Sequence, residues 1–242
     1  MKESPVQHIR LDKLDAVFLR NDSCEDLHDR SWASSFGAVS GQLLAAHGVT
    51  VVNDPAALMR AGSKVYLDEF PAEVRPRSLM TRNVEDVRAF ISSLGHVIVK
   101  PLCGAKGRNV FMIDGDEPNL NQIMEAVLED GYIYAQGYVA GAHEGDMRIF
   151  LLDGELIEVD GHIAAFRRLP EGNDPRANIS AGGRMEPADI SDKQRGVVKA
   201  MRDKLGEDGM FFVGIDVIGD KVIEINAESP RGLDALERRI HS

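Results

Sequence analysis

One segment constrains this chain more than any other: Gly214-Ile-Asp-Val-Ile-Gly-Asp-Lys-Val-Ile-Glu-Ile-Asn226. Two apolar runs flank Gly219-Asp220, which predicts an antiparallel hairpin turning there. Side chains alternate along a strand, so Glu224 and Asn226 share one face while Ile223 and Ile225 occupy the other. A polar face carrying a carboxylate and an amide oxygen suits a hard cation such as Mg²⁺, which takes one or two carboxylates together with phosphate oxygens. Asp216 is a candidate third ligand. With a regular two-residue turn it pairs with residue 223 and faces away from Glu224, whereas an odd-length loop or a bulge sets it opposite 224. The metal reading therefore predicts an irregular turn there. The alternative is an ordinary solvated sheet face.

The rest of the chain mixes helices with further strands and hairpins. Residues 15–20 and 49–52 read as short strands, with a helical stretch from Trp32 to His47 between them. Asn53 or Asp54 before Pro55 is a helix start, and Lys64 to Phe70 reads as another short helix. Asn83 caps a helix stopped by Gly95, with Val87, Phe90, Ile91 and Leu94 on one face. His96 to Lys100 is a strand ending in lysine, followed by a glycine-rich turn and a strand from Asn109 to Ile113. Leu120, Ile123, Met124, Val127 and Leu128 form a helical core stripe, and residues 132–139 return to strand. Arg148–Leu152 and Glu155–Val159 read as a hairpin around Asp153-Gly154. Ser191 and Gln194 form a capping box for a helix ending near Gly206 or Gly209. This order points to α+β, after a short α/β start.

Composition narrows the function. The 242 residues suffice for a sizeable core, and the net charge of −11 disfavours a general nucleic-acid binder. The only cysteines are Cys24 and Cys103, far apart, which excludes a disulfide framework and a cysteine zinc site and fits a reducing compartment. The N-terminus lacks a signal-peptide core and no run is long enough to span a membrane, so the expected location is cytoplasmic, with no membrane partner.

Three further clusters could carry chemistry. Lys100 precedes Cys103-Gly-Ala-Lys-Gly-Arg108, where Gly104 and Gly107 let backbone N–H groups approach an anion and Lys106 adds charge; the alternative is a plain turn. Cys103 itself reads as a small turn residue, against the alternative of a reactive thiol. Asp146 and Arg148 flank a strand start, and Arg167, Arg168, Arg176 and Arg184 sit in or beside the turn-rich segment 170–184, which reads as a loop. Guanidinium forks suit phosphates and carboxylates, against the alternative of ordinary solvated arginines. The histidines, including His143 and His162, have no metal-ligand spacing.

These pieces together resemble the ATP-grasp ligases, and prokaryotic glutathione synthetases in particular. The resemblance is carried by residues 15–20, by Ile98-Val-Lys-Pro-Leu102, and by Pro175-Arg-Ala-Asn178 with Ala181-Gly-Gly-Arg184. Phe212 to Asp220 and Glu224-Ile-Asn-Ala-Glu-Ser-Pro230 complete it. It implies an ATP-grasp fold of two α+β subdomains over residues 54–242, with a small subdomain at about 70–135 and a lid at about 168–186, preceded by a remnant (1–53) of an N-terminal α/β domain. It further implies Lys64, Lys100, Gly104, Lys106 and Gly107 on the phosphates of ATP, and Gln136, Gly137, Tyr138 and Val139 on its base, with Asp146 in the same nucleotide set. Asp216, Glu224 and Asn226 would hold Mg²⁺, with Mn²⁺ as a substitute, and Arg148, Arg168, Asn178 and Gly183 would face the reacting groups.

The implied reaction is ATP-dependent peptide-bond formation through an acyl phosphate, from γ-glutamylcysteine and glycine or a related pair. Two departures from the family pattern stand out: the basic, cysteine-containing glycine turn, and Glu228 and Arg231 after Asn226, which would alter acceptor recognition. Most of the family's N-terminal domain has no counterpart in this sequence. The expected assembly is a homo-oligomer, dimer or tetramer. Alternative readings are a nucleotide-binding subunit without catalysis, and a catalytic subunit completed by a partner chain carrying the remaining domain.

Overall fold

The computed structural model describes residues 8–21, 23–24, 30–104, 107–129, 131–170 and 184–233. The chain opens with β1 (Ala16–Phe18), α1 (Phe36–Ala46) and β2 (Thr50–Val52), the two strands pairing in parallel. Helix α2 (Pro55–Ala61) starts at Asp54, whose side chain accepts from the Ala57 N–H, with Pro55 in the first turn where its missing N–H costs nothing. Residues Lys64–Glu69 form a 3-10 helix. Asn53 ties this N-terminal part to the C-terminal part of the chain: its amide donates to the carbonyls of Phe212 and Ala227 and accepts from the Phe212 N–H.

Next come β3 (Ser78–Thr81), α3 (Val84–Leu94), β4 (His96–Pro101), β5 (Phe111–Asp114), α4 (Leu120–Leu128) and β6 (Ile133–Gly137). The strands form a four-stranded antiparallel sheet in the order β3-β6-β4-β5. Asn83 caps α3 as expected, accepting from the Glu85 N–H. The apolar stripes of α3 and α4 close over Val97, Val99, Ile113, Ile133 and Ala135 to make one core.

The second sheet is built from β7 (Asp146–Leu152), β8 (Glu155–Leu156), β11 (Ala165–Leu169), β12 (Arg184–Pro187), β13 (Phe212–Ile218) and β14 (Lys221–Asn226). Its order is β12-β11-β7-β13-β14, with β8 on β7, while β9 (Glu158–Val159) and β10 (His162–Ile163) pair only with each other. Helix α5 (Asp192–Glu207) begins with the expected reciprocal capping box of Ser191 and Gln194. Its face of Val197, Val198, Met201 and Leu205 packs with Met147, Ile149, Leu151, Val213, Ile215 and Val217, and Leu58, Tyr66, Leu67 and Phe70 complete this larger core.

Three expectations need correction. The hairpin around Asp153-Gly154 exists, with both turn residues at positive φ, but pairs only Leu151 with Leu156 and Leu152 with Glu155. Strand β7 is central: β13 runs along one edge, and β11 shares the other with β8. The hairpin β13–β14 keeps its two-residue turn, so the irregularity lies in the strand: Val217 pairs with Val222 and Asp216 with Glu224, leaving Ile223 as an extra, bulged residue. Cys103 is more than a small turn residue, because it forms a disulfide with Cys24. Separation in sequence says nothing of distance once β4 ends beside the segment that comes after β1.

Candidate active site

The two sheets face each other across a cavity of about 500 Å³. Lys100 stands at the inner end of β4 and Lys64 at the start of the 3-10 helix, so the lysines come from opposite cores. Lys100 is buried, and its ammonium donates to Gln136 Oε1 at 3.1 Å and to the Ile223 carbonyl at 3.3 Å. Burial pushes this ammonium down to about 8, against the opposing pull of Glu224. Lys64 donates to the Gly104 carbonyl at 2.9 Å.

Gln136, Gly137, Tyr138 and Val139 line the same cavity, beside Ile98, Val110 and Ile218. The N–H groups of Gly137 and Tyr138 are taken by the carbonyls of Arg77 and His96. The Gln136 amide nitrogen is different, being buried without a hydrogen-bond partner among the described residues. An orphaned donor of that kind costs about 1–3 kcal/mol unless a bound group satisfies it. A purine ring between apolar walls, with phosphates running toward two lysines, fits these residues.

The opposite wall belongs to the larger sheet. Its bulge turns Asp216 to the same side as Glu224, and the cross-strand pair Asp216–Arg148 brings a guanidinium directly against it. Arg148 Nη2 donates to Asp216 Oδ2 at 2.9 Å while Arg148 Nε donates to Oδ1. Arg168 adds Nη2 to Asp216 Oδ2 at 2.7 Å and donates from Nε to Asp146 Oδ1 at 2.7 Å. Burial alone would push Asp216 up, but the two guanidinium groups outweigh it and hold the carboxyl below the usual range. Asp146, with one arginine and buried, is instead pushed up to about 6. Arg168 is held above its ordinary value by Asp216 and Asp146, against the opposing effect of burial.

Glycine at 145 makes this network fit. Its φ is +92°, and a Cβ there would lie 1.9 Å from the Arg168 carbonyl oxygen, so no other residue lets the chain enter β7 at Asp146 beside Arg168. Sequence reasoning did not single it out; a Gly-Asp step before a buried strand was the available signal.

For a cation, the donor set fits in one arrangement and not in another. The Asp216 carboxylate is fully engaged by Arg148 and Arg168, with Asn226 Nδ2 at 3.4 Å from Oδ2. Glu224 and Asn226 also line the cavity, and their oxygens with phosphate oxygens meet the usual demand of Mg²⁺. No cluster of three or more His, Cys, Asp or Glu side chains suited to a metal occurs among the described residues. Gly104 and Gly107 border the cavity, whereas Lys106, Asn178, Gly183 and Arg176 lie outside the described residues. Most of the expected lid, 171–183, is also outside them. Its flanks are joined, since Leu169 pairs with Arg184 across β11 and β12.

Two α+β layers clasping a cleft, with a lysine from each side and an acidic hairpin as its floor, make an ATP-grasp fold. A solved structure of the ATP-grasp ligase PsnB complexed with minimal precursor, Mg and ADP is similar at a TM-score of 0.59 and 22% identity, covering 91% of this chain and 72% of that one. The chain belongs to the prokaryotic glutathione synthetase family, whose model "Prokaryotic glutathione synthetase, ATP-grasp domain" matches residues 63–241. It is 37% identical over 190 residues to the glutathione synthetase of Synechococcus elongatus, covering 78% of this chain and 57% of that protein. To the glutathione synthetase of Vibrio cholerae it is 35% identical over 233 residues, covering 96% of this chain and 70% of the other. The chain thus spans between about half and about two thirds of the length of these relatives.

Proposed function

We propose that this protein is an ATP-dependent, ADP-forming ligase that joins the carboxylate of γ-glutamylcysteine, or a closely related small peptide, to the amine of glycine. The observation that carries this reading is the bulge at Ile223, which sets Asp216 opposite Glu224 at the floor of a cleft that receives a lysine from each wall. An ordinary sheet face needs neither feature.

In this reading Lys64 and Lys100 neutralise the phosphates, and Gln136 satisfies its unpaired N–H on the base. Glu224 and Asn226 would hold Mg²⁺, or Mn²⁺ in its place, with phosphate oxygens, and Asp216 would join them only if Arg148 or Arg168 released it. When bound, the metal neutralises phosphate charge and orients the terminal phosphoryl group. The peptide carboxylate attacks the γ-phosphate and ADP leaves. The amine then attacks the resulting acyl phosphate, losing a proton as inorganic phosphate departs. No protein nucleophile is required, so the work is positioning and charge compensation. Arg148 and Arg168 would meet the reacting carboxylate, with Asp146 holding Arg168 through its Nε. Asn178 and Gly183 belong to the segment proposed to exclude water that would hydrolyse the acyl phosphate. Such chemistry belongs in the cytoplasm, where ATP is made available. The test is ADP release by the purified chain with Mg²⁺, γ-glutamylcysteine and glycine, omitting each in turn. Release that needs all of them and yields a tripeptide is expected; release unaffected by omitting either peptide component contradicts the ligase reading.

A further inference from the structure

Cys24 and Cys103 are joined across the cleft, their Cα atoms 5.5 Å apart although 79 positions separate them in sequence. The two sulfurs belong to different walls. Cys103 comes three residues after Lys100, directly beyond β4, and so moves with the smaller sheet. Cys24 is buried next to Ser23, whose N–H and hydroxyl donate to Glu228 Oε2 at 3.1 and 2.7 Å, two residues past the end of β14. It therefore moves with the larger sheet. The other links nearby are exchangeable hydrogen bonds, from the Lys64 N–H to the Leu102 carbonyl at 3.4 Å and from its ammonium to Gly104. Only the disulfide is covalent.

We propose that Cys24–Cys103 is a redox-controlled crosslink that fixes the separation of the two walls, and that its reduction frees them to close on the nucleotide. The proposal rests on the nucleotide reading of the cleft and adds a regulation to it. A small thiol supplies the electrons. Its thiolate attacks Sγ of Cys103, which is partly exposed where Cys24 is buried; the S–S bond breaks and Cys24 leaves as a thiolate that takes a proton. A second thiolate then attacks the mixed disulfide, releasing the Cys103 thiol and the oxidised form of the reductant, two electrons in all. The new Cys24 thiol has an acceptor waiting, the Gly62 carbonyl at 3.4 Å. The chain has no third cysteine, so the pair has just these two states within one molecule. In a compartment that keeps thiols reduced, a disulfide in such a place acts as a switch rather than a staple.

The experiment compares the full chain after oxidation with a small disulfide and after reduction with dithiothreitol. Maleimide labelling read by mass spectrometry should count no free thiols in the first and two in the second. ADP affinity with Mg²⁺, by calorimetry, should be about fivefold or more tighter in the reduced protein, within the usual range of coupling between sites. Cys24→Ser and Cys103→Ser should each bind ADP like the reduced wild type under both conditions, so a folding defect in one leaves the other to decide. Two free thiols after oxidation, or equal ADP affinity in the two states, would overturn the crosslink while leaving the nucleotide site standing. No ADP binding in either state would overturn both.

Discussion

The two walls of the cleft handle buried charge in opposite ways. In the larger sheet, Asp216 is wholly buried yet receives two guanidinium groups, so its charge is compensated within the protein. In the smaller sheet, Lys100 is nearly as buried, but its hydrogen-bond partners among the described residues are a neutral amide oxygen and a backbone carbonyl. One carboxyl is held low by its partners; the other wall's ammonium is pushed down by burial to about 8. The difference teaches where an anionic ligand is needed. The larger wall compensates its own buried carboxylate, whereas the smaller wall's buried ammonium gains most when phosphate arrives.

The largest effect should come from Asp216→Ala. It leaves the buried Arg148 guanidinium without a carboxylate and Arg168 with Asp146 alone, and chemical denaturation should show a loss of about 3–5 kcal/mol together with loss of turnover. Lys100→Met should do the reverse: stability by the same assay changes by less than about 1 kcal/mol, because a costly buried charge disappears with its modest hydrogen bonds, while ADP affinity by calorimetry falls about ten- to a hundredfold. Equal stability losses for the two variants would break the comparison.

The pH dependence sharpens it. Lys100 binds phosphate as the ammonium, so ADP affinity should fall as pH rises above about 8, approaching tenfold per unit, and Lys100→Met should flatten that profile. Its folded value lies below the ordinary 10.5, so between about 8 and 10.5 the unfolded chain holds more of this proton. Its contribution to stability should therefore rise with pH across that window, a rise also absent from Lys100→Met. The smallest effect should come from Ser191→Ala, which removes the α5 cap outside both walls. It should cost about 1 kcal/mol in denaturation with unchanged ADP affinity.

Local signals were the ones legible in sequence. The caps at Asn83 and Ser191 and the core stripe of α4 depend on neighbours within one or two turns, and all three are present. The turn at Gly219-Asp220 was also readable, but it is a regular two-residue turn and not the irregular one the metal hypothesis expected; the register shift falls in the strand instead. Alternation alone could not say that Ile223 would bulge rather than the turn lengthen. Strand partners were less readable: β7 offered an apolar alternation that suits any neighbour, and β11 and β13 pair along most of it while the local hairpin keeps only Leu151 and Leu152. The Arg148–Asp216 pair and the Cys24–Cys103 bond were invisible for the same reason, since both join segments that only tertiary folding brings together.

The most direct test of the central claim tracks oxygen. With the reacting carboxylate of γ-glutamylcysteine labelled with ¹⁸O, passage through an acyl phosphate transfers one labelled oxygen to each inorganic phosphate released, readable by mass spectrometry. The account predicts one label per phosphate, formed only when the amine is also present. Phosphate free of label, released at the same rate as ADP, would contradict it.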